Sequence, residues 1–508
     1  MTVMENKSVP VLSLALWLAV LAWLAPSRVI LQGDDFGYVD SVVSTVRTHR
    51  WMPSDWLEPL NLPLTAISAS CFALSGNFYA STLGLNLLLA VVNFILLGAY
   101  LKPAVPSNLV RWGLVLGLAL SPVWLHKALE FTGLPLGLAC TLAAWVGWRR
   151  GWTGCFFACV IVGFLNRQSA LCLLAWPLVA LIRQWYTREP LNRAQLAGIV
   201  FTLGLALTLL LIAPPTWARE LAGRQLSNGF SLAELMANLA LAFVVLVGWQ
   251  AVWKAFCGEP IEPVWRANLS RPFIPLLVMF LGTGLVLGFG AGISWEIPGA
   301  EGASLVVLTG AAMAGAWLNR WDRWPPAEVV VFIAGYVLLV SLRGRWWDYY
   351  FLEPMLALLW MPVETRVSPS RRMWGVGLLL VLGVTSAVGC KRDLREVEEK
   401  TVAYERALRT GELRLSELSD APFGFLAWKL FATARARPDA SALIDFMKYV
   451  EGSRARFAGG TITVNREGGR KSIHPSRERW TVPADLSDRP LPLDNKEWRN
   501  YIRGLPVR

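Results

Sequence analysis

Apolar runs of about twenty residues recur along this chain, and they decide most of what it can become. A helix crossing about 30 Å of hydrocarbon needs roughly 20 mostly apolar residues, since lipid offers no partner to backbone N–H and C=O groups. By that rule about thirteen segments qualify, near 10–31, 79–101, 111–127, 132–149, 152–165, 169–186, 194–214, 233–256, 272–293, 303–319, 327–342, 346–362 and 373–390. Residues 60–76 are more mixed, with Asn61, Thr65, Ser68, Ser70 and Ser75, and read as a helix lying at the outer surface. Only 17% of residues are charged and 55% are hydrophobic, with a mean hydropathy of +0.44. Soluble domains carry about 25% charged residues. The expected fold class is an all-α polytopic membrane protein with about 11–13 transmembrane helices and a small C-terminal soluble domain of mixed structure.

The stretch Val11–Leu31 follows Lys7 but is too long for a signal peptide and lacks a small-residue cleavage site, so it reads as an uncleaved first span. With the N-terminus cytoplasmic, lysine and arginine favour the inside loops by roughly two to one, the expected bias. An odd number of spans then puts the tail outside, in what reads as a bacterial inner or plasma membrane. Trp51, Trp112, Trp152, Trp185, Trp295, Trp321 and Trp324 sit at span ends, as interfacial belts require. The net charge of +12 is spread over the ends of apolar runs, with no basic stripe and interleaved aromatics, which argues against nucleic-acid binding.

Beyond residue 390 the character changes. Lys391–Arg409 is highly charged and helical in pattern, with further helical patterns near 421–437 and 440–455. Gly459–Gly460 and Thr461–Val464 read as a hairpin, and the end with Pro483, Pro490 and Pro492 as extended chain. The division is therefore 1–390, a membrane module whose external loop 32–78 carries the catalytic candidates, and 391–508, an extracytoplasmic soluble domain. The seven cysteines form neither a disulfide framework nor a CxxC metal pattern; Cys155 and Cys159 share a helical face and read as packing. His49, His126 and His474 are too dispersed for a local zinc motif.

Chemistry concentrates on one side of the membrane. Gly33-Asp34-Asp35-Phe36-Gly37-Tyr38-Val39-Asp40 follows the first span directly. Adjacent acids beside lipid cost solvation. They read either as a general base or metal-binding carboxylate facing a polar cavity, or as an acidic cap for a helix over Phe36–Val46. Arg47, His49, Arg50, Trp51, Asp55, Glu58 and Pro59 follow in the same loop. A second group is Arg343-Gly344-Arg345-Trp346-Trp347-Asp348-Tyr349-Tyr350-Phe351-Leu352-Glu353-Pro354. Guanidinium groups bind phosphate bidentately, and here they stand beside tryptophans at a membrane surface; snorkelling in an aromatic belt is the plainer reading. Asn166-Arg167-Gln168 and His126-Lys127 with Glu130 fall on the same outer side.

Taken together, the pattern resembles the polyprenyl-phosphate-dependent glycosyltransferases of the GT-C fold, such as protein mannosyltransferases and lipid A aminoarabinose transferases. The resemblance rests on Asp34-Asp35-Phe36-Gly37-Tyr38 after the first span, on Glu58-Pro59-Leu60-Asn61 before an outer-surface helix, and on Arg345 to Pro354 opening a late span. It implies Asp34 and Asp35 as catalytic residues and Tyr38, Glu58, Arg345 and Asp348 as substrate-binding candidates, to which the reading of the outer-side residues adds His126, Lys127, Arg167 and Arg343. It also implies a lipid-linked sugar donor, a glycan, lipid or protein acceptor, and inversion at the anomeric carbon. The sequence names no certain cofactor: a double carboxylate can hold a divalent ion or work without one. A transporter or flippase of an amphipathic anion is the competing class, and a structural subunit of an assembly, docking through its tail, is a third.

Overall fold

The computed structural model describes residues 8–32, 35–54, 60–213, 325–341, 346–359, 369–412 and 490–504, with isolated positions near 239–250 and 422–429 and short strand backbones elsewhere. Expected spans 272–293 and 303–319, and most of 233–256, lie outside the described residues. The chain forms two compact units: residues 1–19, 91–124 and 136–386 make the first, and 20–90, 125–135 and 387–508 the second.

Helix α1 (Ser8–Leu24) stops before Pro26, which cannot continue a helix. Helix α2 is Asp35–Thr48 and α3 is Leu62–Ser75, the helix expected over 60–76. A π-helical turn, Ala80–Gly84, leads into α4 (Leu85–Leu101). The single span expected at 111–127 is two helices, α5 (Asn108–Ala119) and α6 (Pro122–Leu129), bent by 64°. Pro122 explains the break: it lacks an N–H, and it pushes Ser121 away from helical geometry. Then come α7 (Leu134–Arg149), α8 (Thr153–Asn166), a 3₁₀ stretch Gln168–Leu174, α9 (Ala175–Thr187) and α10 (Arg193–Ile212).

Helix α11 is Ala327–Ser341. The span expected at 346–362 opens differently. Trp346–Trp347 pairs in parallel with Ile293–Ser294, Asp348–Phe351 is a 3₁₀ turn, and α12 runs only over Leu352–Leu358. The expected span at 373–390 and the charged helix after it are one element, α13 (Pro369–Thr410), which passes from the first unit into the second. The hairpin exists: Ala455–Ala458 pairs antiparallel with Thr461–Asn465 across Gly459-Gly460, and Arg477–Thr481 adds a third strand. Of the Pro-rich end, residues 482–489 lie outside the described residues, and 490–494 carry no regular structure. The chain then forms α14 (Asn495–Ile502), whose start Asp494 caps by accepting from the Glu497 N–H at 2.8 Å.

Among the described residues four helices are long and apolar enough to cross a membrane: Ala80–Leu101, Gln168–Thr187, Arg193–Ile212 and Gly375–Thr410; the bent α5–α6 pair makes a fifth if it is one span. Their outer faces carry bare apolar side chains, among them Val200, Phe201, Leu207, Leu211, Leu378 and Val381. Apolar faces of that extent need lipid as solvent. The chain is an integral, mainly helical membrane protein. Trp152 and Trp185 are exposed at helix ends, as the belt pattern expects, whereas Trp17, Trp145 and Trp176 are core residues.

Packing in the first unit centres on Trp145, whose ring lies 5.2 Å from Tyr100, 5.6 Å from Trp176 and 5.6 Å from Phe332, joining α4, α7, α9 and α11. Where α5 meets α13, Gly113 and Gly117 leave room for Val376 and Leu379; a Cβ on Gly117 would lie 2.9 Å from the Leu379 Cβ. Small residues four apart let membrane helices approach closely.

Candidate functional site

The candidate residues fall into two groups, one in each unit. In the second unit, Asp35 begins α2 and is almost wholly buried. The Gln32 N–H donates to its Oδ1 at 2.9 Å and its Oδ2 at 3.0 Å. The carboxylate thus closes the turn before the helix while its charge faces the positive end of the helix dipole. Three residues on, the buried ring of Tyr38 meets Phe131 edge to face, with centroids 6.4 Å apart.

Phe131 follows a compact ionic group at the end of α6. Glu130, 1% exposed, receives Lys127 Nζ on Oε2 at 2.6 Å, and His126 Nδ1 lies 3.0 Å from its Oε1. The Glu130 carbonyl accepts from the Asn86 amide and from the Thr132 N–H at 3.0 Å. A 3.5 Å bond from Gln32 Nε2 to the Leu129 carbonyl joins this loop to the one carrying Asp35. Burial alone would raise the Glu130 carboxyl. The Lys127 and His126 charges and their hydrogen bonds outweigh it and hold the group down at about 2. The Gln32–Leu129 bond and the Tyr38–Phe131 ring contact thus set the start of α2 against the loop that follows α6, where the two bases turn onto Glu130.

In the first unit, Arg167 leaves α8 in extended conformation, φ −149° and ψ 124°, and its largely buried side chain runs inward. Its aliphatic part rests on Gly137, where a Cβ would meet Arg167 Cδ at 3.1 Å. Its guanidinium stands 5.8 Å from the centre of the Tyr350 ring. Glu353, 3% exposed, accepts from Thr141 Oγ1 at 3.1 Å. The buried Tyr336 is near enough to Glu353 and Arg167 to feel both charges.

Asp34, Glu58, Arg343 and Arg345 lie outside the described residues; for Asp348 the backbone is described and the side chain is not. Sequence reasoning grouped Glu130 with His126 and Lys127, and Tyr350 and Glu353 with the 343–354 segment, but gave none of these three a role as a site residue, and it missed Thr141. The available signal was an acid inside or beside an apolar run, which rarely stands without a partner. No group of three or more His, Cys, Asp or Glu able to hold a metal occurs among the described residues.

No protein-family model matches the sequence, and no curated protein sequence matches it. Two crystal structures of ArnT from Cupriavidus metallidurans are similar in fold. The apo state gives a TM-score of 0.35 at 16% identity, over 82% of this chain and 83% of that one. The form bound to undecaprenyl phosphate gives 0.35 at 14%, over 87% and 73%. A likeness at this TM-score decides nothing about what the present chain does.

Proposed function

We propose that this protein is a membrane glycosyltransferase of the GT-C type, moving a sugar from a polyprenyl-phosphate donor to an acceptor hydroxyl on the extracytoplasmic face. One observation carries the reading. The acidic pair follows the end of α1 after nine intervening residues, and its second member, Asp35, is buried at the N-terminus of α2, in the same unit as the Lys127–Glu130–His126 group. In this reading Asp34 takes the proton of the acceptor hydroxyl as its oxygen attacks the anomeric carbon. The bond from that carbon to the phosphate oxygen breaks, its electron pair leaves with the phosphate, and configuration inverts. Asp35 orients Asp34. Arg345, with Arg343 or Arg167, holds the departing phosphate and offsets its growing charge. Tyr38, Glu58, His126, Lys127 and Asp348 line the substrate, and residues 391–508 form the extracytoplasmic part that meets the acceptor or a partner.

The test uses membranes containing Asp34→Asn or Asp35→Asn and a labelled lipid-linked sugar. Loss of transfer in at least one variant is the expected result; full transfer by both removes the base from the mechanism. A second reading, transport of an amphipathic anion, is favoured by the 64° break between α5 and α6, which ends in buried charges as discontinuous transporter helices do. Counterflow in proteoliposomes without any covalent product would select it.

A further inference from the structure

Helix α7 presents two residues one turn apart on the same face, Gly137 and Thr141. Arg167 lies along the first and Glu353 bonds to the second. The opposite side is a single short stretch of chain. Tyr350, which faces the Arg167 guanidinium, and Glu353 are three residues apart, at the end of the 3₁₀ turn and in the first turn of α12. That stretch begins with Asp348, three residues after Arg345. Its far end is held by the Tyr100 hydroxyl, which donates to the Leu356 carbonyl at 2.8 Å, and by Trp249 Nε1, which donates to the Met355 carbonyl at 2.9 Å; its near end passes from a two-residue strand through a 3₁₀ turn into a seven-residue helix. A short helix of this kind has little stability of its own and depends on tertiary contacts. The Glu353–Thr141 bond is such a contact, made where water does not compete and involving a charged acceptor, so it is among the stronger kinds available.

We infer that Glu353 is a positioning residue for phosphate binding: through Thr141 it fixes the turn that carries Tyr350, and thereby the place of the Arg167 guanidinium. This rests on the transferase reading and gives it a component that the sequence motifs do not contain. Glu353 does not touch the phosphate. Its removal loosens the near end of that stretch, which carries Tyr350, while Tyr100 and Trp249 keep the far end in place; Tyr350 shifts on the guanidinium, and Arg167 gains freedom that must be frozen again whenever a phosphate arrives. The defect is therefore one of donor affinity and not of the chemical step.

The experiment uses full-length protein in lipid nanodiscs. It measures binding of polyprenyl phosphate without sugar, then KM and kcat with the labelled sugar donor. Losing one hydrogen bond to a charged group predicts about tenfold weaker binding for Glu353→Ala and Thr141→Val, with donor KM raised alike and kcat within about twofold. Thr141→Ser, which keeps the hydroxyl, should bind as the wild type does. Because Glu353 acts through Arg167, adding Glu353→Ala to Arg167→Ala should cost nothing further. Wild-type binding by Glu353→Ala while Arg167→Ala is impaired would overturn this inference and leave the transferase reading intact. So would additive losses in the double variant, or a fall in kcat at unchanged KM. Wild-type protein that neither binds polyprenyl phosphate nor transfers sugar would overturn the transferase reading and this inference together.

Discussion

Lys127 Nζ lies 2.6 Å from Glu130 Oε2, with both side chains nearly closed to solvent and three residues apart across the end of α6. His126 approaches the other carboxylate oxygen. In a buried ionic group the desolvation cost has already been met, so removing one member leaves an uncompensated charge.

Lys127→Met should therefore destabilise the protein by about 3–5 kcal/mol, and the double variant Lys127→Met/Glu130→Gln by clearly less. Thermal unfolding of the detergent-solubilised protein, run as a double-mutant cycle, checks this. Additive losses would mean that the two charges do not interact.

The same group sets a pH dependence. The Glu130 carboxyl falls from 4.5 to about 2 in the folded protein. A depressed acid contributes stability that is complete above its unfolded value and is lost as pH falls through its folded value. The stability difference between wild type and Glu130→Gln should hold steady at neutral pH, begin to shrink below about 4.5 and vanish near 2. A difference that instead changes around pH 6–7 would place the relevant titration on His126.

Asp35 does two jobs that one substitution separates. Asn at this position keeps an oxygen for the Gln32 N–H but loses the charge at the α2 N-terminus, worth about 0.3–1 kcal/mol. If the acidic pair acts in proton transfer, Asp35→Asn lowers transfer by roughly 100-fold or more while melting changes little. Parallel loss of both would assign Asp35 to helix capping alone.

Gly117 tests the contact between α5 and α13. A Cβ there would stand 2.9 Å from that of Leu379, so Gly117→Val forces the helices apart. Overpacking of this kind costs about 1–3 kcal/mol. Gly377, with nothing near its Cβ position, is the control: Gly377→Ala should cost nothing and stabilise by up to about 1 kcal/mol, as alanine does in a helix interior.

The end of the chain is tied to the loops around α2. Trp498 stacks on Phe78 at 4.2 Å, the Arg47 guanidinium stands 4.4 Å from the Tyr501 ring, and Arg409 bonds Glu497 twice at 3.0 Å. Trp498→Ala should cost about 3–5 kcal/mol and increase protease cleavage within residues 49–54, after α2. Cleavage there at the wild-type rate would show that α14 does not secure the loop.

Much of the architecture was legible because lipid is a demanding solvent: only long apolar helices satisfy their own backbone in it, so the runs at 79–101, 169–186 and 194–214 announce themselves. The glycine pair at 459–460 announced a hairpin for the same local kind of reason, turn chemistry. The break at Pro122 was there to be read, but an apolar run sums hydropathy across a proline, and the kink disappears in the sum. Helix α14 was hidden by the prolines before it, and its two amphipathic turns had no visible partner until Phe78 and Trp428 came to it from distant sequence.

The chain's own order of residues settled that this is a helical membrane protein with paired acids soon after its first apolar run, since hydropathy and adjacency are local properties. Tertiary structure alone decided which charges meet. Lys127 and His126 turn onto Glu130, and Glu353 reaches Thr141 across 212 residues. A buried charge has to find its partner in space, and the partner's distance along the chain plays no part in that cost.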